Sequence, residues 1–216
     1  MATQRNGPLG GWKGKLGNAV GYFDKNGNQI IRSIPRKRNH DNPTNKEKES
    51  WLRTRIINLF LAYVSNFVKL SFDLEGKLNN DNGYNRASKA NRKAIAGEYP
   101  NLYIDFNQVL FSKGAMPVVY VPKVEVSGNS LIFSWNTACT QGMQPTDQVM
   151  LMAYLPQINK AFYLRSGAKR SKGTETLNVV KHSKKQFLEV YISFISEDHS
   201  SISDSTYLGQ FEYGGE

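Results

Sequence analysis

The sequence predicts an α+β protein, with an N-terminal β-hairpin and two helices followed by a seven-stranded immunoglobulin or fibronectin type III-like β-sandwich. The clearest observation is the alternation of apolar and polar residues in two runs within residues 185–213, which is typical of half-buried strands. The residues that share a face in these runs are Leu188, Val190, Ile192, Phe194, Tyr207, Phe211 and Tyr213. A polar loop, residues 196–203, separates the runs and contains one apolar residue, Ile202.

The second observation is that seven strand-like runs fall within about 100 residues, a spacing that is typical of a sandwich. The runs are residues 118–126, 131–135, 148–154, 161–165, 174–179, 187–195 and 204–213. Leu131, Phe133 and Trp135 alternate along the second run, which predicts that Trp135 lies in the core. With 216 residues, the chain is long enough for two domains. We expect residues 1–115 to form a basic arm, hairpin and helical region, and residues 116–216 to form the sandwich.

The N-terminal residues 1–14 are rich in glycine and lack periodicity, which predicts an arm that is flexible unless something holds it. Trp12 packs either on its own domain or on a partner, and we favour the first interpretation. The candidate docking arm consists of Trp12, Lys13 and Lys15. Residues 16–34 predict a hairpin, because Asn26-Gly27 supplies turn residues between two apolar runs.

Two helices are predicted after the hairpin. The first begins at Thr44, whose spacing to Glu47 is that of a capping box, and its apolar face continues for about 25 residues. The apolar positions of this helix are Trp51, Leu52, Ile56, Leu59, Phe60, Tyr63, Phe67 and Leu70. The second helix spans residues 84–96. Residues 73–83 are predicted to be a loop, and residues 102–112 a short extended segment.

The net charge of +10 lies entirely in the first 120 residues. Residues 1–50 carry 10 Lys and Arg against 4 Asp and Glu, residues 51–120 carry 9 against 5, and residues 121–216 carry 9 against 9. This asymmetry indicates either a polyanionic partner for the basic half, with nucleic acid, an anionic surface or an acidic protein as candidates, or equally a solvated basic face. The candidate contacts with a polyanion or another partner are Arg36, Lys37, Arg38, Arg86, Lys89, Arg92 and Lys93.

The cations of the predicted sandwich are divided between its two ends. Lys169, Arg170 and Lys172 follow the fourth run, at the end that also holds the acidic residues Glu197 and Asp198. Because these cations lie beside acids, we expect that neutralising them changes polyanion binding little, whereas neutralising the cations of the second helix weakens it.

No catalytic or metal-binding motif is present in the sequence. His40, His182 and His199 lie in three separate polar stretches without metal-ligand spacing, and the only cysteine, Cys139, cannot form an internal disulfide. The glycines of the N-terminal region precede the first strand, so they do not form a phosphate loop. We therefore predict no enzymatic activity, no bound metal and no cofactor.

The expected location follows from three further features. The chain contains no apolar run long enough to span a membrane, and its first residues lack the apolar core of a signal peptide. The single cysteine gives no indication of an oxidising compartment. We therefore expect a cytoplasmic protein, or a component of an assembled particle.

Several stretches resemble a bacterial family of domains of unknown function, which occurs in many divergent copies. The stretches are GPLGGWKGKLGNAVGY, IIRSIP, the second helix with its Asn, Arg and Ala residues, YIDFNQVLFSKGAMP, LIFSWN and DSTYLGQFEY. They cover nearly the full chain and consist of glycine, aromatic and strand positions. The resemblance implies a bacterial source and a two-part layout, with a Gly-rich basic N-terminal region before the sandwich. It brings no activity, cofactor or binding residue.

Three functional hypotheses follow. The preferred one is a non-enzymatic structural or interaction protein, in which the sandwich is a display module and the basic N-terminal region docks on copies of itself or on a larger assembly. The alternative is a nucleic-acid-binding protein with non-specific phosphate contacts, since the aromatic residues lie at core spacing rather than among the cations. The third is an enzyme whose catalytic groups come from distant loops.

Overall fold

The computed structural model of the chain describes residues 2–4, 7, 10–24, 26–34, 42–180 and 184–215. The chain forms two compact units, Met1–Pro43 and Thr44–Glu216. This division differs from the predicted boundary between residues 115 and 116. The reason is that the helices and the sandwich share a hydrophobic cluster, so they pack as one body rather than as two.

The described part of the first unit is an antiparallel sheet of four strands in the order β1-β2-β3-β4. The strands are β1 (Thr3–Gln4), β2 (Trp12–Leu16), β3 (Ala19–Phe23) and β4 (Gln29–Ser33). Strands β3 and β4 form the predicted hairpin, in whose turn Asp24 Oδ1 accepts hydrogen bonds from the backbone amides of Asn26 and Asn28. The described part of the N-terminal arm is more regular than its glycine content predicts, because it supplies β1 and the start of β2 to this sheet.

Four α-helices lie in the middle of the described chain, after the sheet rather than at the N-terminal end. They are α1 (Asn45–Tyr63), α2 (Ser65–Ser71), α3 (Asp73–Leu78) and α4 (Gly83–Asn91). The predicted capping box begins α1, where the Glu47 amide donates to Thr44 Oγ1 over 3.3 Å and the Thr44 amide donates to Glu47 Oε2 over 2.9 Å. Two predictions are corrected: the long first helix breaks at Val64, and the loop predicted over residues 73–83 contains α3.

The second predicted helix is shorter than its sequence pattern indicates. Helix α4 ends at Asn91, and a 3-10 turn, Arg92–Ala94, leads into strand β5 (Ile95–Glu98). Strand β5 pairs antiparallel with β6 (Asn101–Ile104). Ala94 and Ile95 are buried on either side of the change from helix to strand. Because both are apolar, they continue the helical pattern of the sequence, which explains why the sequence predicts a longer helix.

Seven antiparallel strands follow in the described chain. They are β7 (Lys123–Ser127), β8 (Ser130–Ser134), β9 (Gln148–Leu155), β10 (Lys160–Leu164), β11 (Thr174–Asn178), β12 (Gln186–Ile195) and β13 (Thr206–Tyr213). One sheet has the strand order β10-β9-β12-β13, and the other has the order β11-β8-β7. The protein is thus a mixed α and β protein with mostly antiparallel sheets, which confirms the predicted class at this level.

The two sheets of the sandwich enclose one hydrophobic cluster. Trp135 is buried in it, as predicted, and the indole Nε1 donates to the carbonyl oxygen of Arg170 over 2.9 Å. The central strands β9 and β12 are buried on both faces. Along β9, Leu151 belongs to the cluster between the sheets, and Met152 belongs to the cluster under the helices. The helices therefore cover one outer face of the sandwich.

The segment around Phe111 joins the helices to the sandwich through buried hydrogen bonds. Ser71 Oγ donates to the carbonyl oxygen of Phe111, and the Phe111 amide donates to Ser205 Oγ over 2.9 Å. Next to it, Ser112 Oγ donates to the carbonyl oxygen of Ser203 over 2.9 Å. All four serines are buried. This segment therefore lies inside a shared core and is not a linker between domains.

Tyrosines on the helix-facing side of the sandwich have raised pKa values. Burial raises the pKa of Tyr154 to about 12, and burial together with the nearby Glu189 carboxylate raises the pKa of Tyr191 and of Tyr207. In the unfolded chain a tyrosine titrates near pH 10. Since the folded pKa values are higher, the unfolded state releases these protons first, and stability is lost as the pH rises above about 10.

We expect these tyrosines to ionise only when the protein unfolds. In an alkaline titration, their share of the tyrosinate absorbance should appear at the same pH as the loss of the circular dichroism signal. Ionisation of all 11 tyrosines in a still-folded protein would show that the packing around Tyr154 and Tyr191 is looser than described.

Candidate functional site

The register of the N-terminal sheet places the charged residues of strands β2, β3 and β4 on one face. Paired residues on neighbouring antiparallel strands share a face, and so do residues two apart on one strand. The residues that share one face by this rule are Leu16, Ala19, Gly21, Phe23, Gln29, Ile31 and Ser33. None of these described residues is charged, and we call this surface the uncharged face.

Trp12 packs on the uncharged face of its own sheet. A Cβ atom built at Gly21 would lie 2.7 Å from Trp12 Cε3, so the indole ring covers Gly21 directly. Gln29 Nε2 donates to the carbonyl oxygen of Trp12 over 2.9 Å and ties β4 to β2 across the sheet. Trp12 is therefore part of the sheet surface rather than a free anchor on a flexible arm.

The sheet leaves several large apolar side chains partly exposed to water. Among the described residues 2–34, no hydrophobic side chain is buried. On the uncharged face, Leu16 is 60% exposed, Ile31 58% and Phe23 39%. A small sheet needs a packed apolar face to be stable in water. The uncharged face is therefore a candidate docking surface.

The opposite face of the sheet carries the cations. Lys15 pairs with Val20, and Val20 pairs with Arg32, so the three side chains lie in one row. Tyr22 lies on the same face, and the guanidinium of Arg32 is 5.8 Å from the centroid of its ring. Lys13 and Lys15, the predicted arm cations, are both exposed. The described part of the N-terminal sheet thus has one face without charged residues, and an opposite face that carries cations beside Val20, Tyr22 and Ile30.

The predicted cations of the second helix line a groove in the second unit, which we call the basic groove. It has a volume of about 480 Å³ and follows α4 and the 3-10 turn after it. The lining residues are Glu75, Arg86, Lys89, Ala90, Arg92, Lys93, Leu110 and Lys113. The fold thus adds Lys113 to the four predicted cations. The sequence gives no sign of this, because Lys113 lies beyond the β5-β6 hairpin.

Two of the five groove cations are paired with acids. Arg86 Nε lies 3.4 Å from Asp81 Oδ2, and Lys113 Nζ lies 3.2 Å from Glu75 Oε1. Arg86 is also partly buried, which sets it apart from the exposed cations of this helix. The exposed cations, which form no ion pair with any described acid, are Lys89, Arg92 and Lys93.

The cations at one end of the sandwich lie beside acids, as predicted. Lys169 Nζ lies 2.9 Å from Glu197 Oε1, so the loops that follow β10 and β12 are at the same end. Arg170 requires a correction, because its side chain is 0% exposed and its Nε lies 3.2 Å from Oδ2 of the buried Asp147. Arg170 is therefore a core residue, and its neutralisation would disturb the fold rather than a surface.

Metal centres and membrane-spanning helices are both absent from the described residues. Within them, no group of three or more His, Cys, Asp or Glu side chains could hold a metal ion. His199 and Cys139 are exposed. No helix in the described part of the chain is long and apolar enough to cross a membrane. The predicted residues that lie outside the described part are Arg36, Lys37, Arg38, His40 and His182.

A family model described as a family of unknown function (DUF6266) matches residues 11–209. The chain belongs to this family. The match runs from β2 through the helices to β13, so it spans both compact units. It confirms the resemblance that the sequence shows to a family of unknown function. No curated protein matches the chain.

Among solved structures, the chain is similar to the crystal structure of chicken CNTN1 FN1-FN3 domains. The sequence identity is 9% and the TM-score is 0.37. The match covers 48% of this chain and 33% of that chain, so this protein spans about a third of the length of that structure. The comparisons give no support to the nucleic-acid alternative.

Proposed function

We propose that this protein is a non-enzymatic interaction protein that assembles with a second copy of itself through the uncharged face of its N-terminal sheet. In this proposal, the unit Thr44–Glu216 is a rigid module that the assembly displays. The observation that supports it is that no hydrophobic side chain is buried among the described residues 2–34. A sheet with this much exposed apolar surface gains stability from any surface that covers it.

The charge distribution favours a second copy as the occupant. With a net charge of +10, two copies repel each other wherever their basic surfaces meet. On the N-terminal sheet, Lys15 and Arg32 lie on the face opposite to Phe23 and Ile31. Two uncharged faces can therefore meet with their cations directed away from the contact. Such a contact is self-complementary, which is the requirement for a two-fold dimer.

The buried charged groups of the sandwich support a display role rather than a catalytic one. Arg170 Nε pairs with Asp147 Oδ2 inside the fold, at 3.2 Å. The buried carboxylate of Glu189 accepts hydrogen bonds from Tyr207 Oη over 2.6 Å and from Gln210 Nε2 over 2.7 Å. These contacts hold the sandwich together, which suits a rigid module.

Phe23→Lys is expected to weaken self-association of the full chain by about 10- to 100-fold. Burial of a phenylalanine side chain is worth about 1.5–3 kcal/mol, and a lysine at this position would place two charges in the contact. Sedimentation equilibrium over a range of protein concentrations measures the dimerisation constant.

Tyr22→Lys is the matched control, because Tyr22 is 38% exposed, next to Phe23 at 39%, and lies on the opposite face. It adds the same charge and should leave the dimerisation constant unchanged. A chain that stays monomeric at all concentrations, or an equal effect of the two variants, would contradict the proposal.

A further inference from the structure

We propose that the basic groove binds a chain of phosphate groups, as found in a nucleic-acid backbone or in inorganic polyphosphate. The groove lies in the unit Thr44–Glu216, so this inference is independent of the proposed assembly through the N-terminal sheet. Five cations from two separate segments, α4 with its 3-10 turn and the segment around Lys113, line one concave surface of about 480 Å³. Four of these cations are neighbours in the sequence, and the fold brings Lys113 beside them.

The groove has an excess of positive charge that the protein itself does not neutralise. Its two nearby acids, Glu75 and Asp81, are already engaged by Lys113 and Arg86. The cations left without an acid in the described chain are Lys89, Arg92 and Lys93. Like charges at three- and four-residue spacing on a helix repel each other. An anion bound in the groove would remove this repulsion.

The walls of the groove are fixed by buried contacts. The side chain of Asn91 is buried, and its Nδ2 donates to the carbonyl oxygens of Ala87 and Leu110, each over 2.9 Å. Asn91 Oδ1 accepts a hydrogen bond from the Leu110 amide over 2.8 Å. A Cβ atom at Gly83 would lie 2.6 Å from the carbonyl oxygen of Lys69, so α4 packs directly on α2. Binding therefore has to order only the exposed side chains, which lowers its entropic cost.

The chemistry of the lining favours a phosphate chain over an acidic peptide. Arg86, Lys89 and Arg92 recur at every third residue along α4 and its 3-10 turn, which is roughly one helical turn and suits a ligand with regularly repeated charge. The uncharged lining consists of Ala90 and Leu110, and no aromatic side chain is available for base stacking among the lining residues. A phosphate chain carries charged acceptor oxygens on every repeat, and a lining of Lys and Arg donors suits such a ligand. The groove therefore recognises charge spacing and does not read bases.

The test uses the full chain and three variants that each remove three positive charges. The groove variant combines Lys89→Gln, Arg92→Gln and Lys93→Gln. The sheet variant combines Lys13→Gln, Lys15→Gln and Arg32→Gln. The sandwich variant combines Lys123→Gln, Lys169→Gln and Lys172→Gln. All nine residues are exposed, so the variants should keep the unfolding temperature of the parent chain.

Fluorescence anisotropy measures binding of a labelled single-stranded oligothymidine and of a labelled polyphosphate of similar length. With three phosphate contacts, the affinity of the parent chain for the oligonucleotide should fall about 20-fold between 50 mM and 200 mM salt. The groove variant should lose at least tenfold in affinity at 50 mM salt and show a flatter salt dependence. The sheet and sandwich variants should each stay within about threefold of the parent, because salt screens exposed charges that do not contact the ligand.

The outcomes distinguish a nucleic-acid ligand from inorganic polyphosphate, and binding in the groove from an effect of net charge. Loss of oligonucleotide binding in the groove variant supports a nucleic-acid ligand, and loss of polyphosphate binding alone supports the inorganic one. Equal losses in all three variants would mean that net charge alone drives binding, and would overturn the proposal. Equally tight binding of poly-glutamate in the groove would overturn it too, since the groove would then not select phosphate.

Discussion

Asp147→Ala is expected to lower the free energy of unfolding of the unit Thr44–Glu216 by about 3–5 kcal/mol, because it leaves a buried arginine without its counter-charge. The side chains of Arg170 and Asp147 are 0% and 1% exposed, and their Nε and Oδ2 atoms lie 3.2 Å apart. Asp147 Oδ2 also accepts a hydrogen bond from the Gln144 amide over 2.8 Å. The guanidinium carbon of Arg170 lies 3.9 Å from the ring centroid of Phe194, so the charge cannot reach water by a small movement.

Urea denaturation measures this loss, and two variants serve as controls. Lys169→Gln removes the neighbouring cation, whose ion pair with Glu197 is half exposed, and should change stability by no more than about 0.5 kcal/mol. The double variant Arg170→Met with Asp147→Leu replaces both charges by apolar side chains and should recover most of the loss. A loss below about 1 kcal/mol for Asp147→Ala would mean that Arg170 finds another partner or solvent.

Arg170 shows where sequence reasoning stops. It lies between Lys169 and Lys172 in a polar stretch, and nothing in its spacing distinguishes it from these two surface lysines. Its burial depends on the loop after β10 folding back under Trp135, whose indole nitrogen donates to the Arg170 carbonyl oxygen. That contact joins residues far apart in the chain, so it cannot be predicted from a local pattern.

Strands and helix starts were predictable because their causes are local. The alternation over residues 185–213 places β12 and β13, and the capping box of Thr44 and Glu47 places the start of α1. The breaks between α1, α2 and α3 were not predictable, because apolar spacing continues through them. Phe60, Val64 and Phe67 are all buried in one cluster on both sides of the first break.

The candidate sites were predictable in part. The stretch Trp12–Leu16 alternates lysines with uncharged residues, which is the signal of a two-faced strand, but its glycine content favoured an irregular arm. The residues of the uncharged face cannot all be assigned from the sequence. Ile30 and Ile31 are adjacent and equally apolar, so only the register between β3 and β4 shows which of them lies on that face. The spacing of the helical cations predicts a basic helix face, whereas the groove and its fifth cation, Lys113, need the tertiary fold.

Residues 116–216, produced alone, are expected not to fold into a stable monomer, whereas residues 44–216 should fold. The sequence alone would favour the shorter piece, since all seven sandwich strands lie within it. However, Met150, Met152 and Tyr191 belong to the cluster under the helices, and cutting at residue 115 would expose them on one continuous sheet face. An exposed apolar sheet face of this kind leads to aggregation.

Phe111→Ala is expected to lower the free energy of unfolding strongly, because Phe111 contacts both the helices and the sandwich. The Phe111 ring centroid lies 5.7 Å from that of Phe60 on α1, 6.4 Å from that of Phe67 on α2 and 4.6 Å from that of Tyr191 on β12. Removing a buried phenylalanine side chain costs about 3–5 kcal/mol.

Because Phe111 contacts both the helices and the sandwich, the loss should appear equally in both. Hydrogen exchange measured by mass spectrometry under denaturant can follow peptides from α1 and from β12 in one sample. Equal falls in their protection would establish that the unit Thr44–Glu216 unfolds as one body. If the helix peptides lost protection while β12 kept it, the helices would unfold separately from the sandwich. The chain would then unfold along the predicted boundary between residues 115 and 116, although both parts pack on one hydrophobic cluster.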